Sequence, residues 1–354
     1  MRSSTGAYFA GLDHVRGLAA FLVIVWHFAH WNEGSPVPFN QSPLLGPFDE
    51  GHLGVAVFMT LSGYLFAKLI GDREIRFWPF VWNRAIRLLP LLLVVLLIVG
   101  ISTPDKLTYL KLIVEGVLLP NLPNGGWSIT VEAHFYVLLP FLLAFRGKPS
   151  LAVGLVMLFV VARVGLAVAG FDIHRLAYTT IIGRFDQFAL GMTAFYFRDR
   201  ISGWAALAGL TALWGFYSWF DASGGYYGFS NANIWIILPT VEAVTIAVMI
   251  AWYDQHPLQG RWTWVFERAG RYSYSIYLLH FFFVEQAARL VHQQIMPIPT
   301  LLLAMPWAIL FFGFMMLVGS ISWTLVEKPA LRFRKPYLAE PEPAPTEALP
   351  QPSS

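Results

Sequence analysis

The chain has no cysteine, which removes disulfide staples, thiolate nucleophiles and cysteine-ligated metals together. It is also poor in charge: 13% of its 354 residues are Asp, Glu, Lys or Arg, where a soluble globular chain carries about 25%. The deficit runs along the whole length, and a soluble protein of this size would need far more polar residues to cover its surface. No Gly-x-Ser-x-Gly elbow, metal-spaced histidine set or phosphate-cradling glycine loop occurs, and no metal is expected. The amino terminus has no signal-peptide layout, because Asp13, His14 and Arg16 break into the first apolar run. That run is expected to be a retained helix. What is present is apolar, with 56% hydrophobic and 16% aromatic residues, and lipid is the solvent this composition suits. The net charge of +3 is the basic excess that cytoplasmic loops carry in any membrane protein. No nucleic-acid partner is expected.

Ten stretches meet the requirement of about 20 mostly apolar residues for a spanning helix. They lie near 11–31, 50–70, 85–103, 127–145, 150–170, 177–197, 202–220, 233–252, 272–292 and 300–325. The expected fold is therefore all-α, a polytopic transmembrane bundle of about ten spans occupying residues 1–337. With the amino terminus in the cytoplasm, seventeen Lys and Arg fall in segments on that side and three (Lys106, Lys111 and Arg175) on the other. Both termini are then cytoplasmic. Polar residues interrupt the fourth and ninth spans. Segments 33–49 and 221–232 read as outer loops rich in Gly, Pro and Ser. Residues 338–354, rich in Pro, Glu and Ala, read as a disordered cytoplasmic tail. No room is left for a separate soluble catalytic domain, so any chemistry belongs among the helices.

An ionisable group inside a span costs at least about 2.5 kcal/mol and usually faces the bundle interior. Arg16, His27, Glu132, His134, Arg163, Arg184, Asp186, Glu242, His280, Glu285 and Arg289 are such groups. Arg16 and His27 are eleven residues apart, about three helical turns, and so share a face roughly 16 Å apart along the axis. An arginine at the mouth can hold a phosphate, and a deeper imidazole can take a proton from a hydroxyl. The spacing fits a snorkelling arginine and a structural histidine equally well. Arg84 and Arg87 share a face where the third span leaves the cytoplasm, suited to a phosphorylated ligand or to anchoring the helix at the membrane surface. Ser128 and Glu132, at i and i+4, can meet, and Ser128 can cap the fourth span.

With these residues the chain resembles the acyltransferase-3 family of bacterial membrane O-acyltransferases. The likeness covers residues 10 to 336 through seven elements in the family's order. They are GLDHVRGLAAFLVIVWHF, LGVAVFMTLSGYLF, WNRAIRLLP, WSITVEAHFYVLLP, GRFDQFALGM, YSYSIYLLH and WTLVEKPALRF. The departures are local: His14-Val15 stands where Gly-Leu is commoner, and Ala133-His134 where Glu-Gln is commoner.

The resemblance implies an acyl-CoA donor, usually acetyl-CoA, reached from the cytoplasm of a bacterial inner membrane, and an acceptor hydroxyl on a carbohydrate or lipid-linked glycan. It implies that Arg16 and His27 are essential, with Arg84, Arg87 and Ser62 at the donor. His27 becomes the expected general base, oriented by Glu132 or Asp13, although Asp13 lies far towards the cytoplasm and suits Arg16 better. Trp127, Ser128, His134, Tyr136, Arg184 and His280 are the expected acceptor contacts. Tyr136, Tyr277 and Trp127 are candidate donors to the tetrahedral oxyanion. Some relatives carry a fused extracytoplasmic esterase-like domain, so transfer without that helper or with a separate extracytoplasmic partner is expected here. Other readings are a small-molecule transporter, a non-catalytic receptor or scaffold, and an acyltransferase using succinyl-CoA, a macrolide-like acceptor or a glucan.

Overall fold

A computed structural model describes residues 9–31, 44–144, 146–228 and 233–339. Residues 32–43 and 229–232 of the two outer loops, and residues 340–354 of the tail, lie outside the described residues. The helices, in chain order, are α1 (Ala10–Ala29), α2 (Gly46–Asp49), α3 (Leu53–Ile70), α4 (Phe77–Ser102), α5 (Lys106–Gly116), α6 (Trp127–Leu143), α7 (Pro149–Val168) and α8 (Ile173–Thr179). They continue with α9 (Ile181–Phe197), α10 (Gly203–Ala222), α11 (Gly225–Gly228), α12 (Ile234–Gln255), α13 (Trp264–Leu279), α14 (Val284–Leu290), α15 (Leu301–Ser322) and α16 (Lys328–Ala330). The only β pairing among the described residues is one bridge, Ile75 to Leu338. The fold is an all-α membrane bundle.

Among the described residues, six helical stretches are long and apolar enough to cross a membrane: α1, α3, α4, α7, α12 and the run from Leu301 to Phe333. Helix α6, at 17 residues, is a shorter apolar helix. The stretch expected at 272–292 is not one helix. Helix α13 stops at Leu279, a 3₁₀ turn covers His280–Phe282, and α14 follows. At this end of α13 the Ile276 carbonyl accepts from the His280 backbone N–H, and the His280 imidazole adds a side-chain donor: its Nδ1 lies 2.7 Å from Tyr277 O and 3.2 Å from Ile276 O.

Position in the bundle follows from how apolar residues are distributed around each helix. Helix α7 is apolar around most of its surface, and only Ala152, Val156 and Arg163 are buried; apart from a narrow strip with Leu155, Phe159 and Val160 packed on the core, it faces outward, as a lipid-exposed helix must. Helix α3 is central, packed along α9 and α1, and α1 packs in turn along α13. The α3–α9 contact is close because two glycines meet at it. A Cβ on Gly63 would lie 2.1 Å from Phe188 O, and one on Gly191 2.1 Å from Thr60 O. Small residues of this kind let helix backbones approach in lipid.

Buried charges are neutralised in pairs between helices. Arg163 of α7 donates to both carboxylate oxygens of Asp186 on α9, at 3.2 and 2.7 Å, and to Thr240 on α12. Lys68 of α3 and Tyr64 both donate to Asp254 at the end of α12.

The chain does not leave the bundle after α16. Residues 333–339 run back beneath α4 as a strap. Asn83 and Lys335 exchange two hydrogen bonds, with Nδ2 donating to Lys335 O at 2.7 Å and Lys335 N donating to Oδ1 at 2.8 Å. Trp82 Nε1 donates to Phe333 O, Arg76 N to Tyr337 O, and Ala339 N to Glu74 O. Tyr337 is buried against Phe80. Paired backbone thus extends to Ala339, two residues past the boundary that composition suggests for the tail.

Candidate active site

Helices α1, α3, α4, α6 and α13 enclose a cavity of about 110 Å³. Arg16, Arg84 and Arg87 line one end. Glu132, Ser62 and Tyr136 line its side, and Ser128 and Tyr277 line the other end. The polar residues are there because each helix crosses with one polar stripe turned inward: α1 through Arg16, α4 through Arg84 and Arg87, α6 through Ser128, Glu132 and Tyr136.

The cationic end is not neutralised in full. Arg16 Nη1 donates to Asp13 at 3.0 Å, closing an i, i+3 pair on α1. Arg84 lies over the Phe66 and Phe80 rings, 5.0 and 5.6 Å from their centroids. Its Nε is buried without a hydrogen-bond partner. Arg87 feels Arg16 and Arg84 as like charges and Glu327 as an opposite one. Glu327 is itself held by the Ser275 hydroxyl. A guanidinium that rests on aromatic faces with an unused N–H, as Arg84 does, is well suited to a phosphate.

Glu132 is anchored by two hydroxyls. Ser62 Oγ donates to it at 3.3 Å, and Tyr136 is a second hydrogen-bond donor. The expected Ser128–Glu132 contact does not form. Ser128 Oγ donates instead to Gly125 O at 2.9 Å, because the carbonyl of the preceding turn is nearer than the next turn's carboxylate. Nor does Ser128 cap α6: the N-cap is Gly126 and no side chain caps it.

His27 does not line this cavity. Its ring points into the bundle, against Trp26, His280 and Phe281 with centroids 4.8 Å away in each case. Nδ1 lies 2.9 Å from Val23 O and 3.4 Å from His280 Nε2. A carbonyl can only accept, so Nδ1 of His27 carries the proton. The same reasoning puts the His280 proton on its own Nδ1, towards the Ile276 and Tyr277 carbonyls, and leaves His280 Nε2 as an acceptor. The remaining nitrogen of His27, Nε2, keeps its lone pair and has no partner among the described residues. That is the form a general base needs. The expected orienting groups, Asp13 and Glu132, do not hold the ring, because Asp13 pairs with Arg16 and Glu132 accepts from Ser62 and Tyr136. Val23 and His280 hold it instead.

Tyr277 on the last turn of α13 and His280 just past its end, three residues apart, connect this imidazole pair to the cavity. Their rings are 6.1 Å apart, and Tyr277 forms part of the cavity wall. The hydroxyl of Tyr277 is engaged by Gly125 O at 3.3 Å, and that of Tyr136 by Glu132. Trp127 packs against Tyr178 at 5.0 Å.

Of the six expected acceptor contacts, Ser128 and Tyr136 line the cavity and Trp127, His280, Arg184 and His134 do not. Arg184 is buried, donating to Tyr178 O and to Glu242 at 3.4 Å, with Gln187 and Tyr217 on the same carboxylate. His134 is half-buried on another face of α6, hydrogen-bonded to the Leu118 backbone. Ser273 and Tyr274, on the cavity wall, are not singled out by sequence reasoning. Their YSYSIYLLH element carries the signal, but nothing in its spacing distinguishes a cavity wall from a helix core.

Comparison with known proteins extends these observations. A family model for an acyltransferase domain, Acyl_transf_3, matches residues 9–325. The putative membrane-bound transacylase BcsY of Komagataeibacter xylinus is 27% identical, over 91% of this chain and 83% of its own length. The O-acetyltransferase OatA of Staphylococcus aureus (strain NCTC 8325 / PS 47) is 25% identical, over 77% of this chain and 50% of its own length. This chain therefore matches only half of OatA. No solved structure gives a significant match.

Proposed function

The chain belongs to the acyltransferase-3 family of membrane acyltransferases, and from that premise we propose that it moves an acyl group, acetyl in the first instance, from cytoplasmic acyl-CoA to a hydroxyl of a carbohydrate or lipid-linked glycan in a bacterial inner membrane. The observation that carries this reading is the order of groups along one path: clustered arginines, then a cavity, then Tyr277 and His280, then an imidazole whose free nitrogen is Nε2.

In this reading the nucleotide phosphates rest against Arg84, Arg87 and Arg16, and the pantetheine arm enters the bundle. His27 Nε2 takes the proton of the acceptor hydroxyl as its oxygen attacks the thioester carbonyl. The tetrahedral intermediate collapses, the C–S bond breaks, and the leaving thiolate recovers the proton from the imidazolium. An acyl-imidazole relay through Nε2 is the alternative path for the same groups. Both need Nδ1 to keep its proton, which the Val23 carbonyl ensures.

The experiment is thioester consumption by the purified protein in detergent or nanodiscs with acetyl-CoA and a membrane glycan extract. Turnover is expected in the wild type and lost in both His27→Ala and His27→Gln, each inserted normally. Near-normal turnover in either variant would remove His27 from the mechanism, and no thioester loss in the wild type would remove the activity.

A further inference from the structure

Beside the cationic end of the cavity, outside its lining, stands an arginine that the cavity's own helices do not supply. Arg334 lies on the strap, between Phe333, whose carbonyl is held by Trp82, and Lys335, which is clamped at both backbone atoms by Asn83. Asn83 is wholly buried and immediately precedes Arg84 on α4. The clamp therefore fixes Arg334 beside the α4 arginines, and Arg84 and Arg87 are the two cations it feels. Its Nε, like that of Arg84, is buried and has no hydrogen-bond partner. Burial and the two neighbouring guanidinium groups lower its pKa to about 10, which leaves it cationic at neutral pH.

Like charges packed together in a half-buried setting destabilise one another unless an anion joins them. Of the acidic groups facing the cluster, Asp13 is paired with Arg16 and Glu132 accepts from Ser62, while Glu327, held by Ser275 through one oxygen, is the one carboxylate that faces Arg87. Three guanidinium groups stand together at two depths against that single carboxylate, and two of them, Arg84 and Arg334, hold a buried N–H that none of the described residues accepts. Arg87 is three residues, about 4.5 Å, further along α4 than Arg84, and Arg334 sits at the level of Asn83, nearer the cytoplasm. A coenzyme A thioester that enters reactive end first leaves its 3′-phosphate last, outside its diphosphate. We propose that Arg334, delivered by the strap, binds the 3′-phosphate of the donor nucleotide while Arg84 and Arg87 hold the diphosphate, an assignment that rests on the acyl-CoA reading above.

The test is equilibrium binding of CoA and of 3′-dephospho-CoA to the purified full chain, by titration calorimetry, which needs no acceptor and no turnover. The wild type is expected to bind CoA about tenfold more tightly than the dephospho form, the value of one charge-assisted contact. Arg334→Gln should weaken CoA binding to the level of the dephospho form and leave dephospho-CoA unchanged. Arg334→Lys should keep part of the preference. Equal binding of both ligands by the wild type overturns the assignment, as does an unchanged preference in Arg334→Gln. Loss of both ligands to the same extent in Arg334→Gln also overturns it, since Arg334 would then be serving the strap. Failure of the wild type to bind either ligand is a different result: it removes the acyl-CoA reading, and this assignment with it.

Discussion

His280 Nε2 lies 3.4 Å from His27 Nδ1, although 253 residues separate them in the chain. The contact makes His280 a positioning residue for His27. It accepts part of the proton that Val23 O also accepts, and so keeps the other nitrogen of His27 deprotonated. Replacing His280 by Phe fills the space but removes the acceptor. The expected result is a fall in kcat of about tenfold, the value of one hydrogen bond, with donor affinity unchanged. His280→Gln, whose amide oxygen can still accept, should recover part of it. Equal losses in kcat and donor binding for both variants would mean that His280 only maintains the α13–α14 turn.

Arg84 and Arg87 should behave as donor-binding residues and nothing more. Each substitution to Ala is expected to weaken acetyl-CoA binding by about tenfold, or about 1.4 kcal/mol, with kcat at saturating donor changed little. Raising ionic strength should weaken binding by the wild type more than by either variant, because fewer charges remain to be screened. Arg84→Lys should not restore full affinity: an ammonium has no planar fork and rests less well on the Phe66 and Phe80 rings. A kcat collapse with unchanged donor affinity would put these arginines in the wrong role.

The helical membrane fold is legible in the sequence because it depends on apolar run length, which the residues state directly. The ninth stretch, which polar residues already interrupt, divides at His280–Phe282, a 3₁₀ turn that its overall apolarity does not locate. The cationic mouth is legible in part. Arg84 and Arg87 share a visible spacing on one helix, whereas Arg334 reaches them only through a tertiary clamp on Asn83 that no local pattern encodes. The orientation of His27 escapes for the same reason. Carboxylates are the natural candidates to hold an imidazole, yet the ring is held by a backbone carbonyl four residues back and by a histidine from another helix. Arg184 looks like a ligand-binding residue because an intramembrane charge usually marks function. The structure satisfies it internally with Glu242.

The glycine of the Leu-Ser-Gly element has a packing reason that stability measurements can isolate. Gly63→Ala and Gly191→Ala each place a methyl group 2.1 Å from a carbonyl oxygen of the opposite helix, forcing α3 and α9 apart. A loss of about 1–3 kcal/mol is expected for each, the usual cost of overpacking, seen as a lower thermal midpoint in detergent. Gly154→Ala and Gly215→Ala, where an added Cβ meets nothing within 4 Å, should be neutral or slightly stabilising. Since Ser62 adjoins Gly63 and donates to Glu132, Gly63→Ala should reduce turnover more than Gly191→Ala does at equal stability. Identical activities in the two variants would dissociate the glycine from the site.

The Arg163–Asp186 pair offers the clearest test of what charge does inside this bundle. Both side chains are fully buried, on two helices, and their bidentate contact is supported by Thr240 and by the Ile236 and Ile182 carbonyls. Removing one partner leaves an uncompensated charge in a low-dielectric interior, so Arg163→Met should destabilise by about 3–5 kcal/mol. Asp186→Leu should cost a similar amount, because the stranded guanidinium keeps its carbonyl contacts but loses its counter-charge. In the double variant no charge remains to be solvated, and much of the loss should return, since a buried ion pair contributes little net stability over an apolar replacement. Thermal unfolding of the four proteins in one detergent completes the cycle. Strictly additive losses would show that the two charges are not coupled, and that solvent or lipid headgroups reach them despite their burial.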